Sequence, residues 1–269
     1  MFLTYSARAC HRSLGQRQRG VALFVVIVFV LLSMLLALWA SRTSMFNELV
    51  VGNDADYQRA FEAAQALLQD AELDIRGERA DGLACDAADV SAQPDEVCRR
   101  GSVTKIPLEA QELSPMLAYL HQQPVRCRHG LCTRRTGRQD FWNNNTINDS
   151  ATGEFPLSAL TVSTAANRVG ARYGQYTGAL TGSSSAPANP ILADRSADNR
   201  GGWYWIEIMN YDESSKNSGL IVGGATTDNL LRLNLTPNVV YRITALAYGR
   251  KPGTMAVLQQ TYARQIRKD

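Results

Sequence analysis

The longest uninterrupted apolar run in the chain lies near its start, at residues 21–40. It contains no charged residue, and Ser33 is its lone polar residue. As an α-helix rising 1.5 Å per residue, the run covers about 30 Å, which is the thickness of the hydrocarbon core of a bilayer. The pattern therefore predicts a membrane-spanning helix, and no other stretch of the chain has a comparable apolar length.

The pattern changes after residue 40 but remains helical. Between residues 41 and 76 apolar residues recur in steps of three and four, which is typical of one face of an α-helix. Residues 21–76 contain no proline, and Gly77 stands where a helix C-cap is expected. We expect one continuous helix over residues 21–76, apolar all round in its first part and amphipathic in its second. The apolar positions of the second part are Met45, Phe46, Leu49, Val50, Tyr57, Ala60, Phe61, Ala64, Leu67, Leu68, Ala71 and Ile75.

The last third of the chain shows strand patterns. Residues 203–209 are rich in residues that favour strands, and residues 230–235 alternate between apolar and polar. Residues 239–248 also alternate, and a Gly-Arg-Lys-Pro-Gly turn at 249–253 separates them from a last strand pattern at 255–264. In the segment 239–248, alternation places four side chains on one side of the strand: Tyr241, Ile243, Ala245 and Ala247. We predict an antiparallel sheet whose apolar face is covered by the amphipathic half of the long helix, which makes an α+β fold.

The region before these strands has a different composition. Residues 139–200 are rich in Asn, Thr, Ser, Gly and Ala, which is typical of loops or a variable insert. A short helix is expected near residues 157–168. The predicted organisation is therefore a leader at 1–20, a helix at 21–76, and a globular domain at 77–269 that contains the insert.

Charge gives this organisation an orientation. The chain has 269 residues with 28 Lys and Arg against 25 Asp and Glu, a formal charge of +3. Four arginines and no acid precede the apolar run, so the rest of the chain is close to neutral and does not indicate a nucleic-acid-binding surface. By the positive-inside rule, the N-terminus stays in the cytoplasm and the domain is exported across the inner membrane. The four arginines are Arg8, Arg12, Arg17 and Arg19.

Three interpretations of the apolar run are open. A cleaved secretory signal usually has a shorter apolar core and small residues before its cleavage site, whereas this run ends Leu38-Trp39-Ala40. A plain single-span anchor fits the composition. The third interpretation comes from the junction Gln18-Arg19-Gly20, which resembles the cleavage site of class III prepilin leaders. That resemblance implies cleavage by a prepilin peptidase between Gly20 and Val21, methylation of the new N-terminus, and retention of the apolar helix.

Two further stretches resemble PilX-type minor pilins. Residues 45–54 (MFNELVVGND) and 59–72 (RAFEAAQALLQDAE) look like the N-terminal region of that family, and residues 241–245 (YRITA) and 258–262 (LQQTY) like its closing strands. The resemblance covers roughly residues 15–76 and 203–264 and leaves the middle unmatched. It implies a pilin-like fold and a role in the tip or priming complex of a type IV pilus. Implied partners are other minor pilins, the major pilin and a PilY-type tip adhesin.

Two alternatives to this role stay open. One is a K-type minor pseudopilin that caps a type II secretion pseudopilus, and the other is a bitopic anchor that presents a periplasmic binding module. Val25, the fifth residue after the expected cleavage site, departs from ordinary pilins in a way that resembles both PilX-type minor pilins and the K-type minor pseudopilin. Most pilins have a Glu there that is thought to pair with the N-terminal amine of the neighbouring subunit above. Its replacement by an apolar residue suits a subunit with nothing above it, because an unpaired carboxylate in hydrocarbon is costly.

Four cysteines in an exported domain predict two disulfides. These are Cys85, Cys98, Cys127 and Cys132, while Cys10 lies in the leader. Three pairings are possible, and proximity in sequence favours Cys85 with Cys98 and Cys127 with Cys132. A zinc site that includes His129 or His121 is the alternative, but the cysteine spacing does not repeat as zinc sites require.

A basic run surrounds the second cysteine pair, and we interpret it as a solvated loop, with contact to DNA or to an acidic partner as the alternative. Its members are Arg126, Arg128, Arg134, Arg135 and Arg138.

Motifs for catalysis are missing from the sequence. It contains no phosphate-binding loop of the Walker type, no Gly-x-Ser-x-Gly elbow and no His-Glu-x-x-His pair. Only three histidines are present, and one of them lies in the leader. We therefore predict a structural protein that has no enzymatic activity and needs neither a cofactor nor a metal.

Overall fold

The computed structural model describes residues 19–85, 97–99, 105–107, 110–164, 168–183, 185–210 and 239–264. It begins with helix α1, Arg19–Arg76, which confirms the long helix predicted from periodicity. Gly77 has a φ of 68° and its N–H donates to the Asp74 carbonyl, so glycine ends the helix in the left-handed conformation expected of a C-cap. The chain divides into two compact units at Gly52 and Asn53, within α1.

The second unit is built on one mixed sheet. Its strands are β1 (Cys127–Arg128), β2 (Leu131–Thr133), β3 (Ala171–Arg172), β4 (Gly202–Asn210), β5 (Val239–Tyr248) and β6 (Met255–Tyr262). The strand order is β1-β2-β4-β5-β6, and β3 pairs with the start of β4 on the same side as β2. The short helices are α2 (Ala110–His121), α3 (Leu157–Leu160) and α4 (Pro190–Ala193), with one 3₁₀ turn at Phe141–Asn143.

The three long strands confirm the sequence prediction. Strands β4, β5 and β6 are antiparallel neighbours, and Ile243 of β5 lies opposite Ile206 and Gln260. The segment 249–253 turns β5 into β6, as its composition predicts. The predicted strand at residues 230–235 lies outside the described residues.

The predicted strands that the structure describes are antiparallel as expected, but the whole sheet is mixed because it includes strands that the sequence did not predict. Strand β2 runs parallel to β4, with Cys132 opposite Glu207. Parallel neighbours need a long crossover, and residues 134–201 provide it between the two strands. Three residues are too few to show an alternating pattern, and nothing local to β2 indicates the direction of a partner 70 positions away.

One face of the sheet packs on the second half of α1, as predicted. Ala60, Ala63 and Ala64 are fully buried on this half, and they share a core with the sheet residues Tyr241 and Ile243. Small alanine side chains let a helix approach a sheet closely, and larger residues of α1 and α2 fill the remaining space. These larger residues are Leu67, Leu68, Ile75, Leu113, Met116 and Leu120.

The opposite face of the sheet carries a second core that the sequence did not indicate. Trp203 and Trp205 are fully buried there, and the ring of Phe141 meets Trp205 edge-on at a centroid distance of 5.0 Å. Residues 139–200 supply much of this layer, so this region is not simply a loop insert. The helix expected near 157–168 ends at Leu160, whose carbonyl accepts a hydrogen bond from Trp205 Nε1 at 3.1 Å.

Candidate assembly interface

The first candidate surface is the N-terminal part of α1. Every side chain from Val21 to Val51 is exposed. The helix contains an 18-residue window with a mean hydropathy of 3.3, long and apolar enough to cross a membrane. The one polar side chain of the apolar run is satisfied within the helix, because Ser33 Oγ donates to the Val30 carbonyl at 2.8 Å. A continuous apolar surface of this size requires a lipid or protein environment.

The residues of the expected processing site lie at the start of this helix. Gly20 and Val21 belong to the first turn of α1, which begins at Arg19. Residues 1–18 of the leader lie outside the described residues. Val25 follows one turn after Val21 and is 41% exposed. From Val21 onward the first acidic residue in the sequence is Glu48, so the whole apolar segment at 21–40 is free of carboxylates.

A second set of residues attaches the globular domain to α1. Three aspartates on the helix, Asp56, Asp70 and Asp74, are buried at 2%, 2% and 6% exposure. The sequence did not indicate these three residues, because acidic residues on an amphipathic helix are expected on its solvent-facing side. Asp56 and Asp74 are 18 residues apart, which is five full helical turns. Acidic residues five turns apart on the apolar face of a helix indicate buried carboxylates, and this spacing could have identified Asp56 and Asp74.

Asp74 holds the most extensive of these contacts. Its two carboxylate oxygens accept hydrogen bonds from Arg99 Nε and Nη2, both at 2.6 Å, and Oδ2 also accepts from the Tyr204 hydroxyl at 2.9 Å. Burial alone would lower the pKa of Arg99, but the charge and hydrogen bonds of Asp74, with smaller contributions from Tyr176 and Tyr204, together outweigh burial and raise that pKa above its ordinary value. The Arg99 guanidinium also lies 3.7 Å from the centre of the Tyr176 ring.

Asp70 lies one turn before Asp74 on the same helix. It accepts hydrogen bonds from the Gly174 N–H at 2.8 Å and from the Thr177 hydroxyl. Burial raises the pKa of Asp70 to about 7, although these two hydrogen bonds act in the opposite direction. The carboxyl thus connects α1 to the turn that follows β3.

Asp56 connects the helix to the turn between β5 and β6. Its carboxylate accepts the backbone N–H groups of Arg250 and Lys251 at 3.0 and 2.9 Å. Burial would raise the pKa of Asp56, but these hydrogen bonds outweigh it and the pKa lies below its ordinary value. Gly249 permits this approach, because a Cβ there would clash with Asp56 Oδ2.

Two disulfides support these attachments. Cys85 is bonded to Cys98, which directly precedes Arg99, and Cys127 is bonded to Cys132 across the β1–β2 hairpin. This is the pairing that sequence proximity favours. The first bridge positions the arginine that reaches Asp74, a role that no spacing rule could have indicated.

The basic run around the second disulfide is not a uniformly solvated loop. Arg135 is 4% exposed, lies over the Phe141 ring at 3.6 Å, and has its Nε atom 3.8 Å from Glu207 Oε1. Arg242 Nε donates to the other oxygen of Glu207 at 2.6 Å. Burial lowers the pKa of Arg135 to about 10. Arg138, which pairs with Asp140 at the surface, fits the prediction of a solvated residue.

The histidines considered as zinc ligands have other environments. His129 Nδ1 lies 3.1 Å from the Tyr176 hydroxyl, and burial together with the charges of Arg128 and Arg99 lowers the pKa of His129 to about 4. His121 ends helix α2. Within the described part of the chain, no group of three or more His, Cys, Asp or Glu side chains is arranged to hold a metal ion.

Comparison with known families agrees with this architecture. The chain matches the C-terminal model of the type IV pilus assembly protein PilX over residues 128–264, just over half of its length, and the PilX N-terminal model over residues 19–69. The likeness therefore extends into the region before residue 203 that had seemed unmatched. The chain has no significant match among curated proteins, and none among solved structures. With the long apolar helix, the helix-on-sheet domain and both family models in agreement, the chain belongs to the PilX family and is a minor pilin of the type IV pilus.

Proposed function

We propose that this minor pilin joins the complex at the tip of the type IV pilus and promotes the start of pilus assembly. The observation that carries the proposal is α1, which is fully exposed and apolar from Val21 to Trp39 and then packs into the domain from Asn53 onward. A helix of this kind is stable in a membrane before assembly and among other pilin helices afterwards. Its partners in this role are other minor pilins, the major pilin and a PilY-type adhesin.

Processing precedes assembly in this proposal. Residues 1–20 form a cytoplasmic leader, prepilin peptidase cleaves between Gly20 and Val21, and residues 77–269 lie in the periplasm until the subunit enters the pilus. Mass spectrometry of the N-terminal peptide tests this directly, and we expect it to begin at a methylated Val21. Gly20→Glu should accumulate uncleaved precursor, whereas the leader control Gly15→Ala should be processed normally. A mature chain that starts after Ala40, or no cleavage at all, would contradict the proposal.

Deletion of the gene tests the role in assembly. We expect fewer surface pili and reduced twitching, with type II secretion unchanged, and restoration of pili by the wild-type gene but not by Gly20→Glu. Loss of secretion with normal pili would instead identify a K-type pseudopilin. Normal pili and normal secretion would indicate a bitopic anchor of another kind.

A further inference from the structure

Strand β6 forms an open edge of the sheet in the described part of the chain. In that part of the chain β6 pairs with β5 alone. The opposite edge of the sheet is the two-residue strand β1, which a disulfide links to β2. An edge strand presents unpaired backbone N–H and C=O groups, and proteins usually protect long edges with prolines, charges or bulges. The eight residues of β6, MAVLQQTY, contain neither a proline nor a charge.

Two hydrogen bonds identify which backbone groups of β6 point outward. The Tyr248 N–H donates to Gly201 on the β4 side, and the Gly249 N–H donates to Thr254 on the β6 side. Successive residues of an antiparallel strand point their backbone groups to opposite sides, so the odd-numbered residues of β5 bond to β6. From the register, their partners on β6 are the even-numbered residues. The odd-numbered residues therefore direct their N–H and C=O groups to the open edge: Met255, Val257, Gln259 and Thr261.

The side chains at this edge leave it accessible. Gln259 and Thr261 are exposed, and Met255 and Val257 are partly exposed. The even-numbered residues are engaged on the face of α1, where Gln260 Nε2 donates to Glu72 Oε1 at 2.5 Å. Outward-facing backbone groups and exposed side chains thus coincide on the same residues.

We propose that the β6 edge binds an extended strand of another protein of the pilus tip, which adds to the sheet beside β6. A row of alternating backbone donors and acceptors is complementary to an extended peptide backbone. Arg264 follows the edge, so the complementary strand is uncharged along β6 and acidic where it meets Arg264. Lys251, which precedes the edge, donates to Asn53 Oδ1 of α1 at 3.0 Å. Placement of the partner in the pilus tip rests on the proposed function.

A second copy of this chain is a poor occupant of the edge. Antiparallel pairing of β6 with itself would place Lys251 of one copy close to Arg264 of the other, at both ends of the ladder. Like charges facing each other across strands are destabilising. The partner strand therefore comes from a different protein.

Photo-crosslinking in cells tests the inference. A benzophenone amino acid is introduced at Gln259 or at Thr261, with the exposed loop residue Asn145 as the control position. We expect both edge positions, and not residue 145, to cross-link to one protein of the pilus tip. The two attachment points should lie two residues apart on one segment, because paired strands advance together. Cross-links to a second copy of this chain, or no cross-link from either edge position, would overturn the proposal.

A proline substitution tests the backbone contact itself. Gln259→Pro removes an outward N–H and leaves the β5–β6 ladder intact, while Gln259→Ala retains the N–H. In the Gln259→Pro chain we expect the cross-link from position 261 to fall about five-fold or more, the factor that one lost hydrogen bond produces. Gln259→Ala should stay within about two-fold of wild type. If proline prevents folding, the melting temperature will show it, and the cross-links of the otherwise wild-type chain decide the question.

The deletion phenotype separates this inference from the proposed function. If deletion of the gene reduces piliation but the edge positions do not cross-link, only the inference fails. If deletion leaves piliation unchanged, the proposed function fails, and a cross-link with the required spacing would still establish the strand contact.

Discussion

The guanidinium of Arg99 donates hydrogen bonds to both carboxylate oxygens of Asp74, from Nε and from Nη2 at 2.6 Å each. The two residues are 25 positions apart in the sequence. Asp74 belongs to the last turn of α1, and Arg99 directly follows a disulfide-bonded cysteine. Arg99 Nη1 also donates to the His129 carbonyl at 2.9 Å. One arginine thereby connects the end of the helix to the β1–β2 hairpin, and this contact is central to the attachment of the globular domain to α1.

Removal of Arg99 should destabilise the protein strongly. Arg99→Met leaves the buried Asp74 carboxylate without its charged partner, which typically costs about 3–5 kcal/mol. Urea unfolding of the mature protein in detergent, followed by tryptophan fluorescence, measures this loss. Arg138→Met, which breaks the exposed contact with Asp140, should leave the transition unchanged within error. The double variant Asp74→Asn, Arg99→Met should recover part of the stability, and a strictly additive loss would contradict the pairing.

Asp70 should make stability depend on pH near neutrality. Its pKa of about 7 in the folded protein is above the ordinary aspartate value of 3.9, so folding favours its protonated form. The contribution of Asp70 to the free energy of unfolding should therefore be fully present below about pH 4. It should be lost as the pH rises through the folded pKa of about 7. Between pH 5 and 8 we expect wild type to lose on the order of 2 kcal/mol more than Asp70→Asn. Parallel behaviour of the two proteins over this range would contradict the assignment.

Asp56 should behave in the opposite way. Its pKa is lowered in the folded protein, so its contribution is present above the ordinary aspartate pKa and is lost as pH falls through the folded value. Asp56→Asn weakens charge-assisted hydrogen bonds to the N–H groups of Arg250 and Lys251 and should cost about 2 kcal/mol at pH 7. Asp54→Asn, at an exposed position on the same helix, is the matched control and should change stability by less than about 0.5 kcal/mol. Equal effects of the two substitutions would count against a special role for Asp56.

The two disulfides should differ in their contribution to stability. Cys85 and Cys98 are separated by 13 positions and Cys127 and Cys132 by 5, so loop closure alone predicts losses of about 3 and about 2 kcal/mol on removal. Loss of the first bridge also frees the segment that positions Arg99. Its removal and Arg99→Met should therefore be non-additive, which a double-mutant cycle measures. The same cycle between Arg99→Met and loss of the second bridge is the control and should be closer to additive.

Val25→Glu tests the position of the subunit in the pilus. In a tip subunit no neighbour above offers an N-terminal amine, so the new carboxylate has no obligatory partner. An acid at mid-membrane costs about 2.5 to 3.5 kcal/mol, and less near the interface or when protonated. We expect normal processing, no gain in assembly and weaker initiation of pili. More of this protein in sheared pili after the substitution would contradict a tip position.

The sequence determined the elements whose pattern is local. The apolar run at 21–40 and the amphipathic periodicity up to Arg76 predicted α1. The alternation from Val239 to Tyr248 predicted β5 and the face that packs on the helix. The PilX resemblance also came from contiguous segments. Each of these features depends on neighbours within a few residues, and the 3.6- and 2-residue periods record which side chains are buried.

Only the tertiary structure determined what polar residues do inside the domain. Asp56 meets the β5–β6 turn 195 positions away, and Arg135 is buried beside Glu207, 72 positions away. A charged residue is predicted to be solvated when its partner is distant in sequence. Its neighbours in sequence do not indicate the hydrogen bonds that offset the cost of its burial. The sequence also did not predict the parallel pairing of β2 with β4, or the second core over Trp203 and Trp205. Both depend on how distant segments meet, which the local order of residues does not determine.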